Sequence, residues 1–213
     1  MALLSREENA AYWDRRHRTE SALRSGGDMS YDESANRMFY ILRLGMLLDI
    51  IGHHADPVAP LRLLDAGCGK GWFSRQLARF GHQVDAIDAS STAIETCRAE
   101  GGAVRFHQST LSGWRSPVLY DVVTAVDVLF HILDEAEWER SVGNLASLVR
   151  LHGRLVVSDW GGPGDQTFGD YQVVRGPDRY VTLLRAAGLR HDGWRPYGFR
   201  RNPMGFHVFT RQW

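Results

Sequence analysis

The stretch that most constrains this chain is Leu61-Arg62-Leu63-Leu64-Asp65-Ala66-Gly67-Cys68-Gly69-Lys70-Gly71. A short apolar run stops at an acid, and three glycines at alternate positions follow. Trp72 to Phe80 then takes a helical period, with Phe73, Leu77 and Phe80 on one face and Gly81 behind it. The glycines let the backbone bend tightly and approach a ligand with no Cβ in the way. The helix start offers unpaired N–H groups to a phosphate or a carboxylate. Asp88 ends a second apolar run, 23 residues after Asp65. A carboxylate about 20 residues past a glycine turn suits the vicinal hydroxyls of a ribose, because it accepts two hydrogen bonds at once.

The rest of the chain repeats the alternation of strand and helix. Strands are expected at 61–64, 83–87, 103–107, 120–126, 154–158, 189–195 and 205–211. Helices are expected at 72–80, 92–100, 134–150 and from Pro177 to Gly188. The run at 120–126 is apolar enough for a strand buried on both faces. Two final strands with no helix between them cannot both be parallel neighbours, so one of them is expected to be antiparallel. The fold class is therefore α/β, with a mostly parallel seven-stranded sheet between helical layers. Residues 1–56 read as an N-terminal helical cap and 57–213 as the α/β domain. In the cap, Ser5 to His17 is a polar segment, Ser30 with Glu33 fits a capping box, and Asp32 to Ile51 keeps a helical period until Gly52 and Pro57.

A nicotinamide or flavin site wants Gly-x-Gly-x-x-Gly, but Trp72 holds the third glycine position and the extra glycine falls at Gly71. The loop Asp65-x-Gly67-x-Gly69-x-Gly71, with Val84-x-x-Ile87-Asp88-x-Ser90, resembles class I S-adenosylmethionine-dependent methyltransferases of the small-molecule type. The resemblance covers residues 61 to about 160 well and 177 to 213 in outline. It implies a Rossmann-like three-layer sandwich and S-adenosylmethionine as cofactor. Asp65, Gly67, Cys68, Gly69 and Gly71 would shape the loop that binds the methionine part. Asp88 and Ala89 would meet the nucleoside, and Asp127 and Val128 would line the site after the fourth strand. Where the family often has Gly-Asp for the adenine amino group, this chain has Ser109-Thr110, so Thr110, Ser109 or a backbone group is expected to hold the adenine. Tyr12-Trp13-Asp14 is similar to an N-terminal element that lies over the cofactor in such enzymes.

Methyl transfer from a sulfonium is an in-line displacement on an electrophile that is already activated, so position supplies most of the acceleration. A base is needed only for a hydroxyl or a protonated amine. His131, in the loop after the fourth strand, is the first candidate, and Asp159, ending the fifth, is its rival. Tyr12, Trp160 and Arg175 are candidate substrate contacts. Arg37, Arg43 and Arg200 are further cations able to hold a carboxylate or phosphate. Gly161-Gly162-Pro163-Gly164 has the composition of a flexible lid. His53, His54 and His107 have no supporting context. Oxygen ranks first as acceptor atom, then nitrogen, then carbon. The alternatives are a non-methylating binder or cyclisation catalyst on the same fold, and a nicotinamide-dependent oxidoreductase.

Composition narrows the partners. Twenty-five basic and 25 acidic side chains cancel, which argues against nucleic acid or an acidic membrane. Twenty-four of the basic residues are Arg, and Lys70 stands alone. No Asn/Asp-Pro-Pro-Tyr/Phe follows the fourth strand, and no Pro-Cys nucleophile, which removes the patterns of nucleic-acid methylation. Cys68 and Cys97 are too few for a disulfide framework or a zinc site, so no metal is expected. No run approaches the ~20 apolar residues of a membrane span, and the first ten residues do not read as a secretory leader. The expectation is a cytoplasmic protein acting on a small molecule, with a homodimer admitted.

Overall fold

The computed structural model describes residues 2–52 and 59–213. The expected cap boundary at 56/57 lies outside the described residues, as do His53, His54 and Pro57. Three helices come first: α1 (Arg6–Thr19), the single turn α2 (Ala22–Ser25) and α3 (Glu33–Gly52). Then follow β1 (Arg62–Ala66), α4 (Trp72–Arg79), β2 (Gln83–Asp88), α5 (Ser91–Glu100), β3 (Arg105–Gln108) and β4 (Tyr120–Ala125). After a short 3₁₀ turn at Leu129–His131 come α6 (Glu135–Ser147), β5 (Val149–Trp160), β6 (Gln166–Phe168) and β7 (Gln172–Val174). The chain closes with α7 (Pro177–Ala186), β8 (Leu189–Pro196) and β9 (Met204–Arg211).

Seven strands form one sheet in the order β3-β2-β1-β4-β5-β9-β8. All neighbours are parallel except β9, which runs against both β5 and β8. The period-2 alternation of strand side chains separates two cores. Leu63, Val84, Val122 and Val156 face α3, α4 and α5, where Leu47, Leu77 and Ile94 meet them. Leu64, Ile87, Val123 and Val157 face α6 and α7, where Trp138, Leu145 and Leu184 meet them. The expected three-layer Rossmann-like sandwich is thus the observed one. Among the described residues no helix is long and apolar enough to cross a membrane.

One local expectation needs correction. Asp32, not Ser30, caps α3: its Oδ1 accepts the Ala35 N–H at 2.7 Å, while Ser30 closes a turn on Asp28. A full capping box occurs instead at Ser5 and Glu8 of α1. The glycine-rich stretch after β5 leads into a two-stranded hairpin, β6–β7.

β1 and β4 are neighbours, yet the chain leaves them for opposite faces of the sheet. Their exit loops therefore part and leave a crevice at the carboxyl ends of the strands, where ligands of such sheets bind.

Candidate functional site

That crevice holds a cavity of about 860 Å³. Its floor is the glycine turn. Gly67 and Cys68 donate their N–H groups to the Ile87 carbonyl at 2.8 and 2.9 Å, folding the turn back on β2. Gly69 donates to Asp88 Oδ2 at 2.8 Å, and Ser90 N–H to Asp88 Oδ1 at 2.9 Å. The loop and the acid at the end of β2 are therefore one unit. Gly67 has φ +78°, and a Cβ there would lie 2.4 Å from Val128 Cγ2. Gly71 has φ +74°, and a Cβ there would lie 2.7 Å from the Phe106 ring. Both positions thus need glycine twice over, for conformation and for space. Asp65 lies beneath the turn, buried, and accepts from Ser74 Oγ of α4 at 2.5 Å. Burial raises its pKa to about 6 against the hydrogen bonds of Ser74 and Thr124.

The β4 exit supplies the next wall. Asp127 adopts φ +51° and lines the cavity. Arg43 of α3 pairs with its Oδ2, and Ser158 and Tyr197 hydroxyls donate to its Oδ1 at 2.9 and 3.1 Å. Arg43 is fully buried, with the Phe39 and Tyr40 rings 3.9 and 4.4 Å from its guanidinium carbon. His131 follows. Its Nδ1 sits 3.0 Å from the Tyr171 carbonyl, and a carbonyl only accepts, so Nδ1 carries the proton. Nε2 keeps the lone pair. Burial pushes the pKa of His131 down to about 3, outweighing the Tyr171 carbonyl.

α1 is the roof. Its residues Asn9, Trp13 and His17, at i, i+4 and i+8, all line the cavity. Asn9 Nδ2 donates to the His131 carbonyl at 2.8 Å, and the Trp13 and His131 rings meet edge-on at 4.4 Å. Ser90 Oγ bonds Asp14, and Lys70 Nζ donates to the Glu20 carbonyl at 2.7 Å. The chain's one lysine thus ties the glycine turn to the end of α1.

The cavity gathers Gly67, Cys68, Gly69, Asp88, Ala89, Thr110, Asp127, Val128 and His131 of the expected site. Asp65 and Gly71 stand just behind it. Four expected residues lie elsewhere. Tyr12 is one step round the helix from Trp13, and its ring packs on Tyr171 at 5.6 Å. Asp159 is fully buried, accepting from Tyr180 Oη at 2.5 Å and Trp160 N–H at 2.7 Å; burial raises its pKa to about 7 despite them. Trp160 packs outside the cavity and gives its carbonyl to His207 Nε2 at 3.0 Å. Arg175 is buried under Trp138 and donates to the Ile132 and Val173 carbonyls. Of the other arginines considered, Arg43 alone lines the cavity. Arg37 faces Glu33 on α3, and Arg200 lies over the Tyr31 ring. The sequence reading missed Asn9 and His17; their spacing of four from Trp13 is the signal that points to them.

The turn, the acid at 88 and the cavity above them suit a nucleoside bearing an amino-acid tail. No side chain fills the turn, and Trp13 Nε1, His17 Nδ1 and Arg43 Nη2 are buried around it without a protein partner. This is a doubly wound α/β domain with an open crevice of that form.

Comparison with known proteins agrees. Residues 63–153 match a family described as a methyltransferase domain. The ubiquinone biosynthesis O-methyltransferase of Rickettsia felis is 32% identical over 121 residues, which are 55% of this chain and 48% of that protein. The chain spans about half the length of the curated relatives it matches. Among solved structures, a Burkholderia thailandensis 1,6-didemethyltoxoflavin-N1-methyltransferase, with its substrate and S-adenosylhomocysteine bound, aligns with a TM-score of 0.68 at 20% identity. The alignment covers 100% of this chain and 92% of that one. Magnesium protoporphyrin IX methyltransferase of Synechocystis, with S-adenosylmethionine bound, gives 0.69 at 18%, covering 95% and 91%. Residues 63–153 thus match a methyltransferase domain, and solved structures of the same fold hold S-adenosylmethionine or S-adenosylhomocysteine.

Proposed function

We propose that this protein transfers a methyl group from S-adenosylmethionine to an oxygen of a small organic molecule. The observation that carries the reading is the Gly69–Asp88 unit opening into a cavity with His131 on its wall. The curated relatives, named for O-methyl transfer, support oxygen over nitrogen and carbon. We assign the methionine part to Gly67, Cys68 and Gly69 and the ribose hydroxyls to Asp88, with the base between Ala89, Thr110 and Val128. When bound, the cofactor supplies an electrophilic methyl on sulfur.

His131 orients the acceptor. Its Nε2 takes a hydrogen bond from the acceptor hydroxyl and turns an oxygen lone pair toward the reacting carbon. Because burial keeps the ring neutral down to about pH 3, this acceptor is present throughout the physiological range. As the C–O bond formed and the methyl–sulfur bond broke, leaving the neutral thioether, the hydroxyl proton would become strongly acidic, and Nε2 would receive it even at so low a basicity. The Tyr171 carbonyl and Trp13 hold the ring in place, and Asn9 fixes the His131 backbone.

The test is incubation with S-adenosylmethionine and a panel of phenols and hydroxy acids. The expected result is a gain of ~14 Da on one acceptor class, with one S-adenosylhomocysteine formed per product. His131→Ala lowers turnover ~10²-fold, with S-adenosylhomocysteine affinity within about twofold of wild type. Wild-type kcat/KM shows no inflection between pH 6 and 7 that can be traced to His131. Cofactor binding without methylated product favours the non-methylating alternative. Binding of NAD(P) in place of S-adenosylhomocysteine overturns the reading.

A further inference from the structure

We propose that Glu137 of α6 accepts the exocyclic amino group of the cofactor's adenine, so that the nucleobase is read by a helix carboxylate and not by the end of β3. The proposal rests on the nucleoside reading above.

The placement of the base follows from the sheet order. The amino-acid tail lies on the turn after β1, and the ribose lies at Asp88 after β2. The strand beyond β2 is β3, so the base lies over the exits of β2 and β3. The cavity continues in that direction past Ala89, Thr110 and Leu111 and reaches Glu137. Ala89, Leu111 and Val128 give that end of the cavity apolar surface for the faces of a purine, among polar neighbours.

At the β3 exit, Thr110 is turned into its own loop. Its Oγ1 accepts the Gly113 N–H at 3.1 Å and lies 3.4 Å from Ser112 Oγ. Ser112 Oγ in turn donates to Glu137 Oε1 at 2.5 Å. The loop therefore leans on the α6 carboxylate. Arg140 Nη2 donates to Oε2 at 2.8 Å. A carboxylate has about four acceptor directions, and these two bonds leave capacity on both oxygens. Burial disfavours the charge, but Ser112 and Arg140 outweigh it and hold the carboxyl below its ordinary range. Asp134 is the other carboxylate at this end of the cavity, but its Oδ1 accepts the Glu137 N–H at 2.7 Å as the helix cap.

An ionised carboxylate only accepts. It fits a 6-amino purine and repels the carbonyl oxygen of a 6-oxo purine. A site built around a hydrogen bond rejects the analogue that cannot make it.

The experiment is calorimetric titration with S-adenosylhomocysteine and with its 6-oxo (inosine) counterpart. Wild type is expected to prefer the amino compound by at least ~tenfold. Glu137→Gln presents an N–H₂ donor, so it narrows that ratio at least ~tenfold by binding the amino compound more weakly and the oxo compound more tightly. Asp134→Asn keeps the wild-type ratio. Glu137→Gln with an unchanged ratio overturns the proposal while leaving the cofactor reading intact, and so does a ratio that narrows in Asp134→Asn instead. Failure of wild type to bind S-adenosylhomocysteine removes the cofactor reading itself.

Discussion

Asp127 carries a left-handed backbone without being glycine. Such a conformation costs on the order of 1–3 kcal/mol and persists only where the surroundings over-determine it. Here Arg43, Ser158 and Tyr197 converge on one carboxylate. Arg43→Met keeps much of the side chain's volume but strands Asp127 without its counter-charge. We expect a loss of about 3–5 kcal/mol in urea unfolding, partly restored by adding Asp127→Asn. The same pair marks the limit of sequence reading at this scale. Gly67, Asp88, Val128 and His131 are legible because strand ends and turn spacing place them. The Arg43–Asp127 pair joins residues 84 apart, and no local pattern announces it. Tyr12 stands one position on the helix from Trp13, which lines the cavity. Neighbours there point about 100° apart; Trp13 turns to the cavity and Tyr12 to the Tyr171 ring.

Elements were legible wherever period and punctuation agree, as in β1–α4–β2. They were misread where a partner strand decides. α6 was expected to run to Arg150 but ends at Ser147, because the Leu148 carbonyl is taken by Tyr120 N–H at 2.9 Å and Val149 pairs with Tyr120. β5 reaches Trp160 because β9 pairs with it as far as Met204. The hairpin β6–β7 that follows the glycine-rich stretch was not expected; its turn is held by Leu4 N–H on the Asp170 carbonyl at 2.9 Å. The glycine turn has no such latitude. Gly67→Ala puts a Cβ into Val128 in a backbone that disfavours side chains. We expect S-adenosylhomocysteine affinity to fall at least ~tenfold while far-UV circular dichroism stays as in wild type. An unchanged affinity would mean that Val128 yields freely.

Across the whole molecule, buried ionisable groups pull stability in two directions with pH. His131, His207 and His17 have folded pKa values lowered mainly by burial, the first to about 3 and the second to about 4. The unfolded chain takes up these protons first, so their contribution is lost as pH falls below about 6.5. Asp159 is raised from 3.8 to about 7 and Asp65 to about 6. The folded chain holds these protons longer, so their contribution is full below about pH 4 and is lost as pH climbs toward 7. Asp159→Asn isolates one of them. The stability gap between wild type and variant is expected to be widest below about pH 4 and to shrink by about 1.4 kcal/mol per pH unit from there up to neutrality. Urea midpoints at pH 5, 6 and 8 measure it; a gap that widens with pH would assign the carboxyl the opposite shift. The reversed course of β9 has a different consequence. It delivers Tyr197 and Phe199 to the ligand edge of the sheet, where the Phe199 ring stacks on Phe39 of α3 at 5.0 Å. The head and the tail of the polypeptide are thus spliced there. Chimaeras that trade specificity between homologues must exchange both ends together, since a graft of either alone arrives with half of a seam.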